Sequence, residues 1–219
     1  MDALCIMLAR HVESRPPWLD DVVAGRPVLH HDIRLAFGAA THDLGRFAVA
    51  PSSDEIEELL DAGALWVTQT TVDEVGRIAL LRAAVTGADD PFAIARGLYS
   101  GGDSRERVAV LRALPLLPDP LGYLSLATEG CRTNVRTVFE AIACENSYAA
   151  LWFPDRAFRQ MVLKAIFIDV PIARIDGLRS RTSDELRRMA RDYASERVAA
   201  GRSVPDDVHH LLATGGTGT

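Results

Sequence analysis

The sequence is poor in the residues that mark several protein classes. Only 3 of its 219 residues are cysteines, and only 6% are aromatic. An odd number of widely spaced cysteines is typical of a reducing compartment, so we expect a cytoplasmic protein without disulfides. The low aromatic content and the lack of alternating Val, Ile and Thr runs argue against an all-β sandwich or barrel. No stretch reaches the roughly 18 uncharged apolar residues that a membrane helix needs, so we expect no membrane span.

Basic residues are also in the minority. The chain has 24 Lys and Arg against 30 Asp and Glu, which gives a net charge of −6. Domains that bind nucleic acid usually carry a basic excess, so we expect no nucleic-acid partner. Asp2 precedes the first basic residue, and no small-residue cleavage site follows, so we expect no secretory signal.

Helix-forming residues and helix boundary signals dominate what is present. Ala, Leu and Arg, which all favour helix, number 31, 25 and 23. A capping box at 71–74, an Asp90-Pro91 start, and caps at Thr133 or Asn134 and at 183–185 begin helices, while Gly87 and Gly201 end them. The predicted helices are 72–85, 92–99, 103–114, 121–132, 135–144, 155–168 and 184–200. A short turn of helix from Pro171 through Ile175, ended by Gly177, and one last short helix that begins at Pro205 are also predicted. Four further helices are predicted in the first seventy residues, at 2–12, 18–24, 31–40 and 54–61.

The spacing of these helices predicts an all-α fold. Short connections force neighbouring helices to run antiparallel. Such a chain forms either a stack of antiparallel hairpins, as in a short HEAT-like solenoid, or a compact helical bundle. We expect one domain over 1–213 and a disordered tail, TGGTGT, over 214–219.

Two His–Asp pairs, 31–32 and 42–43, are the first candidates for metal chemistry. Imidazole and carboxylate together suit divalent metals that activate water. The pairs lie only 11 residues apart, however, and no later Asp in an apolar setting completes such a site. We therefore predict that His30, His31 and His42 bind no metal.

The cysteines and the glycine pattern give no catalytic signature. No two cysteines lie within four residues of each other, as a zinc site would require, and Cys131 and Cys144 are interpreted as small buried hydrophobic residues. No nucleophile elbow, phosphate-binding loop or dinucleotide-binding turn is present. We predict no cofactor and no catalytic residue.

Lys164 is the only lysine in the chain, and it lies in an apolar stretch of the helix predicted over 155–168. Arg156 and Gln160 precede it at helical spacing, so the three form one polar stripe. The stripe is either a solvated outer face with an extended lysine, or the wall of a groove that binds an anionic or amide-bearing ligand. A structural lysine paired with a carboxylate is a third possibility. The predicted ligand- or partner-binding residues are Lys164, Gln160 and Arg156, with Arg132 and Asn134 joining them from a helix junction.

Several ordered blocks of the sequence resemble the EboA-domain family. The resemblance covers roughly 90–205. The blocks are LRALPLL at 111–117, CRTN at 131–134, FEAIACENSY at 139–148, FRQMVLKAIF at 158–167, and RDY and ERVAAGR at 191–193 and 196–202. Arg159 and Ser147 depart from the family pattern, which has Asn and Pro there.

The resemblance implies a soluble helical protein without an established activity of its own. Members of this family are encoded beside a metal-dependent hydrolase, a prenyltransferase and other enzymes, in clusters associated with processing or trafficking of secondary-metabolite precursors. The leading hypothesis is a non-catalytic adaptor or binding protein whose partners are other proteins of that pathway, a small metabolite, or both. The alternatives are an enzyme acting on a small metabolite in a groove around Lys164, and a purely structural homo-oligomer.

Overall fold

The computed structural model describes residues 3–12, 15–26 and 30–213, and it describes the side chains of these residues except those of 30–32. Within these ranges the chain is helical and has no β-strand, only an isolated bridge between Ala48 and Thr71. The all-α prediction is confirmed. The predicted tail at 214–219 lies outside the described residues.

Fourteen α-helices follow one another in the described part of the chain, joined by short turns and single turns of 3-10 helix. They are α1 (Ala3–His11), α2 (Pro17–Val23), α3 (His30–Leu44), α4 (Ser53–Asp61), α5 (Val72–Val85), α6 (Pro91–Gly101), α7 (Ser104–Ala113), α8 (Leu124–Arg132), α9 (Arg136–Ala143), α10 (Ser147–Trp152), α11 (Asp155–Phe167), α12 (Leu178–Arg181), α13 (Asp184–Ala199) and α14 (Asp206–Ala213).

Helix α5 lies at the centre of the first half of the chain. It is buried on nearly all sides, as expected for a helix with little polar surface. It packs against α1, α2, α3, α6 and α7, and α7 in turn packs against α9. In a solenoid each unit contacts only its neighbours, so contacts from α1 and α2 to α5 fit the compact bundle among the two predicted architectures. The single-domain prediction stays a prediction, although the hydrophobic core cluster runs from Ala3 to Leu211.

A buried ion pair on α5 forms hydrogen bonds with residues of α3. Asp73 and Arg77 lie one turn apart on α5, their side chains are 3% and 4% exposed, and their nearest N and O atoms are 2.9 Å apart. Arg77 also donates to the Phe37 carbonyl oxygen, and the Thr41 hydroxyl donates to Asp73. Because both charged side chains of this ion pair have hydrogen-bond partners, the pair is tolerated in the core.

The structure confirms some predicted helix caps and corrects others. The Asp90 carboxylate accepts from the Ala93 N–H and the Ser183 hydroxyl oxygen accepts from the Leu186 N–H, as predicted. The capping box predicted at 71–74 is wrong, because the Thr71 side chain makes no cap bond and instead donates to Asp73 at 2.6 Å. Glu74, the other member of that box, forms an ion pair with Arg112 on α7. An ion pair with a residue distant in the sequence therefore replaces the predicted local cap.

The region around α8 and α9 also differs from the prediction. The helix predicted over 121–132 is divided, because Pro120–Tyr123 form a 3-10 turn and α8 begins at Leu124. Neither Thr133 nor Asn134 caps α9; Val135 holds the cap position, and its N–H donates to the Thr133 hydroxyl oxygen. Helix α10 was not predicted, since its six residues are too few to show a helical period.

Candidate functional site

Helix α11 has a buried face and a polar face, as its sequence pattern predicts. Phe158, Met161 and Val162 lie in the core. On the polar face Arg156 and Gln160 are exposed, whereas Lys164 is half-buried. The side chains of the stripe are therefore less exposed to solvent towards the C-terminal end of the helix.

The Lys164 ammonium caps the C-terminal end of α8. Its Nζ donates to the carbonyl oxygens of Cys131, at 2.6 Å, and Thr133, at 2.5 Å. The last carbonyls of a helix lack partners within the helix and carry partial negative charge, so a cation is favoured there. The same Nζ lies 5.0 Å from the centre of the Phe139 ring, within range of a cation–π contact. The structural lysine considered in the sequence analysis was assigned a carboxylate partner; the observed partners are backbone carbonyls.

Burial shifts the pKa values of the two ionisable groups at this junction. It lowers the pKa of Lys164, against the opposing effect of Cys131, but the two carbonyl acceptors favour the charged ammonium form. It raises the pKa of the Cys131 thiol to about 12, despite the nearby cations of Lys164 and Arg132. Cys131 therefore keeps its proton at neutral pH. Cys144 is buried as predicted, whereas Cys131 is only half-buried.

A cavity of about 280 Å³ opens beside the Lys164 ammonium, between α8 and α11. We name it the Lys164 pocket, and its lining residues are Thr128, Cys131, Arg132, Phe153, Ala157, Gln160, Met161 and Lys164. Its volume lies near the lower end of the roughly 300–1,000 Å³ of small-molecule sites. The pocket combines apolar walls with a few polar groups, which is typical of such sites.

Three of the five predicted site residues line this one pocket. They are Lys164, Gln160 and Arg132, which come from two helices that are separated in the sequence. Arg156 and Asn134 are exposed and are not among the lining residues. The structure thus brings together the C-terminal part of the stripe and one residue of the junction.

The charged groups of the lining are both positive. Lys164 and Arg132 line the pocket, and none of its lining residues is Asp or Glu. Among the described residues, the Arg132 and Gln160 side chains have no hydrogen-bond or ion-pair partner. Arg174, by contrast, pairs with both Glu145 and Glu140. The Arg132 guanidinium and the Gln160 amide are therefore available to a ligand.

Sequence reasoning did not find a second, larger groove, which lies beside the loop at 173–177 and the start of α12. It measures about 1270 Å³, and its lining includes acidic and basic side chains, Glu145 and Asp176 against Arg174 and Arg179. The loop turns at Gly177, whose φ of +68° lies in the left-handed region that glycine favours. That glycine was the one available signal, and it was interpreted only as the end of a helical turn.

The histidines of the first forty-three residues give no metal centre in the described part of the chain. His42 is exposed, and its Nδ1 lies 3.1 Å from Asp43, which also accepts from the Trp18 indole. The side chains of His30 and His31 lie outside the described residues, so the prediction for them stays a prediction. Elsewhere in the described ranges no group of three or more potential ligands comes together. None of the described helices has the length and apolar character needed to cross a membrane.

Comparisons with known proteins give one assignment. Neither a search of curated proteins nor a search of solved structures finds a match to the chain. The profile of one family, described as "Metabolite traffic protein EboA", matches residues 3–213, which is nearly the whole chain. The match extends the resemblance seen over 90–205 to the N-terminal helices, and the chain belongs to the EboA family of metabolite traffic proteins.

Proposed function

We propose that this protein is a non-catalytic binding protein that holds a small metabolite in the Lys164 pocket. In this proposal it passes the metabolite to other proteins of the same secondary-metabolite pathway. The observation that carries the proposal is the pocket itself, in which Lys164, Gln160 and Arg132 meet from two separate helices. The traffic role in the family's description supports the same conclusion.

The state of the two reactive side chains favours binding over conversion. The nucleophilic form of cysteine is the thiolate, and the pKa of Cys131 near 12 keeps this residue as the thiol. A lysine that acts as a nucleophile or a general base needs a neutral amine, whereas Lys164 uses its ammonium hydrogens to cap α8. The Cys131 thiol is therefore in its non-nucleophilic form, and the Lys164 ammonium is engaged in the cap of α8.

We also propose that the protein works in the cytoplasm. Cys131 and Cys144 are free thiols in the structure. Free thiols of this kind are typical of a reducing compartment. Fractionation of the native host, with detection of the chain in each fraction, tests this point.

The function is tested by filling one cavity at a time. Ala157→Phe places a ring in the Lys164 pocket, and Ala173→Phe places the same ring in the larger groove. Both variants and the wild-type chain are purified from the native host, and the released small molecules are identified by mass spectrometry. We expect the same compound from wild-type and Ala173→Phe and its loss from Ala157→Phe, with circular dichroism confirming that each variant is folded.

Other results would change the conclusion. Loss of the compound from Ala173→Phe alone would move the site to the larger groove, and absence of any compound from the wild-type chain would refute the proposal. Incubation of the purified protein with the released compound separates binding from catalysis. Recovery of the unchanged compound supports a binding protein, whereas its conversion would establish the enzyme alternative.

A further inference from the structure

The charge of the Lys164 pocket is opposite to that of the protein. The chain as a whole carries a net charge of −6, yet the charged side chains that line the pocket, Lys164 and Arg132, are both cationic. A cleft lined by one sign of charge attracts ligands of the other sign.

The hydrogen-bonding groups of the pocket are mostly donors that still lack acceptors. Lys164 uses two of its three N–H groups on carbonyl oxygens, which leaves one. The guanidinium of Arg132 has no partner among the described residues, and neither does the amide of Gln160. Arg presents its donors as a planar fork that fits two oxygens of a carboxylate or phosphate.

One feature of the pocket is unfavourable for an anion, and the Lys164 ammonium offsets it. The C-terminal end of α8 borders the pocket, and helix C-termini repel negative charge. Two backbone carbonyls at this end, those of Cys131 and of the C-cap residue Thr133, already accept from Lys164. The Lys164 charge therefore offsets part of the negative end of the helix dipole beside the pocket.

We infer that the Lys164 pocket takes a small organic anion, with one carboxylate or phosphate group held by Arg132, Gln160 and Lys164. The rest of the ligand is a short apolar body that contacts Phe153, Ala157 and Met161. This inference rests on the proposed function. The proposed function leaves the class of metabolite open, and the inference names that class. The negatively charged group, and not the length of the apolar part, carries the affinity.

The test compares three probes with the same five-carbon alkyl chain: hexanoate, pentyl phosphate and the neutral hexanamide. Each is titrated into the full-length ¹⁵N-labelled protein, and backbone amide signals are followed by nuclear magnetic resonance. We expect at least one of the two anions to shift the signals of residues 128–132 and 157–164 and to bind about ten-fold or more tightly than hexanamide. Comparison of the two anions then distinguishes a carboxylate ligand from a phosphate ligand.

A matched pair of arginine variants shows whether the site or the general charge is responsible. Arg132→Gln removes the lining guanidinium. Arg191→Gln removes another exposed guanidinium, on α13, which has no hydrogen-bond partner among the residues that the structure describes. We expect Arg132→Gln to weaken anion binding about ten-fold and Arg191→Gln to leave it within two-fold of wild type.

Each remaining result would overturn the inference. Hexanamide binding as tightly as the anions would refute the anionic class and leave the pocket as a small-molecule site. Equal weakening in both arginine variants would assign the attraction to overall charge. If no probe shifts these signals, the anion inference is wrong, while the compound that co-purifies with the wild-type chain still decides the proposed function.

Discussion

Replacement of Lys164 by methionine tests how much the ammonium cap contributes to the fold. Methionine keeps an apolar stem of similar length, so the change removes the charge and its contacts but little buried surface. A hydrogen bond from a charged donor contributes about 1.5–3 kcal/mol, and the cap has two, at 2.6 and 2.5 Å. Water can reach the freed carbonyls through the pocket, so we expect part of this energy to be recovered. The cation–π contact with Phe139 adds about 0.5–1 kcal/mol.

The expected loss for Lys164→Met is therefore about 2–3 kcal/mol in the free energy of unfolding. For a domain of this size that corresponds to a decrease in Tm of about 4–12 °C. Urea denaturation followed by circular dichroism measures the first quantity, and calorimetry measures the second. The matched control is Arg156→Met on the same helix, whose side chain is exposed and without a partner in the described structure; it should stay within about 0.5 kcal/mol of wild type. If Lys164→Met behaves like this control, the cap contributes nothing and Lys164 belongs to the solvated face.

Three further outcomes concern stability. Asp73→Asn should lower the free energy of unfolding by about 3–5 kcal/mol in urea titrations, because it leaves the Arg77 charge buried without its partner. Burial raises the pKa of Asp73, but hydrogen bonds from two threonines and Arg77 outweigh it, so the folded pKa lies below the usual 3.8. The resulting stabilisation is complete above pH 3.8 and is lost as the pH falls through the folded pKa. In denaturation at a series of acidic pH values, the free energy of unfolding should therefore decline less steeply in Asp73→Asn than in the wild-type chain. Gly97 lies within α6 with open space around it, so Gly97→Ala should raise Tm. Gly122→Ala should lower Tm, because the added methyl group displaces the Phe92 ring. A change in Tm of the same sign in both variants would contradict this packing.

The sequence predicted the helices best where the boundary signal is local. The cap at Asp90 is one example, because a carboxylate at that position bonds an N–H three residues later whatever the rest of the chain does. The prediction was wrong where a residue distant in the sequence competes for the same group. Glu74 has the spacing of a capping box, but Arg112 on α7 lies 2.6 Å away and takes its carboxylate. Local spacing carries no information about such a partner.

The same distinction explains what was predicted of the site. A single lysine in an apolar helix is visible in the sequence, and so is its alignment with Gln160 on one face. The partners of Lys164 were not predictable, since they are backbone carbonyls more than thirty residues earlier and carbonyls have no residue type. Asn134 was expected beside Arg132 because both lie at a predicted helix junction, where the N–H groups of a first helical turn attract anions. The end of α8 separates them, so that Arg132 lines the pocket and Asn134 is exposed.

In the Lys164 pocket, one side chain serves both the fold and the proposed ligand. The ammonium joins α11 to the end of α8, and the same cation faces the cavity between these two helices. A variant at Lys164 therefore alters stability and the electrostatics of the site together, and loss of binding in such a variant has two causes that a binding assay does not separate. Arg132 is exposed, and its guanidinium has no hydrogen-bond or ion-pair partner among the described residues, so its removal chiefly alters the charge offered to a ligand. Hence stability measurements at Lys164 report on the cap, and binding measurements at Arg132 report on the ligand.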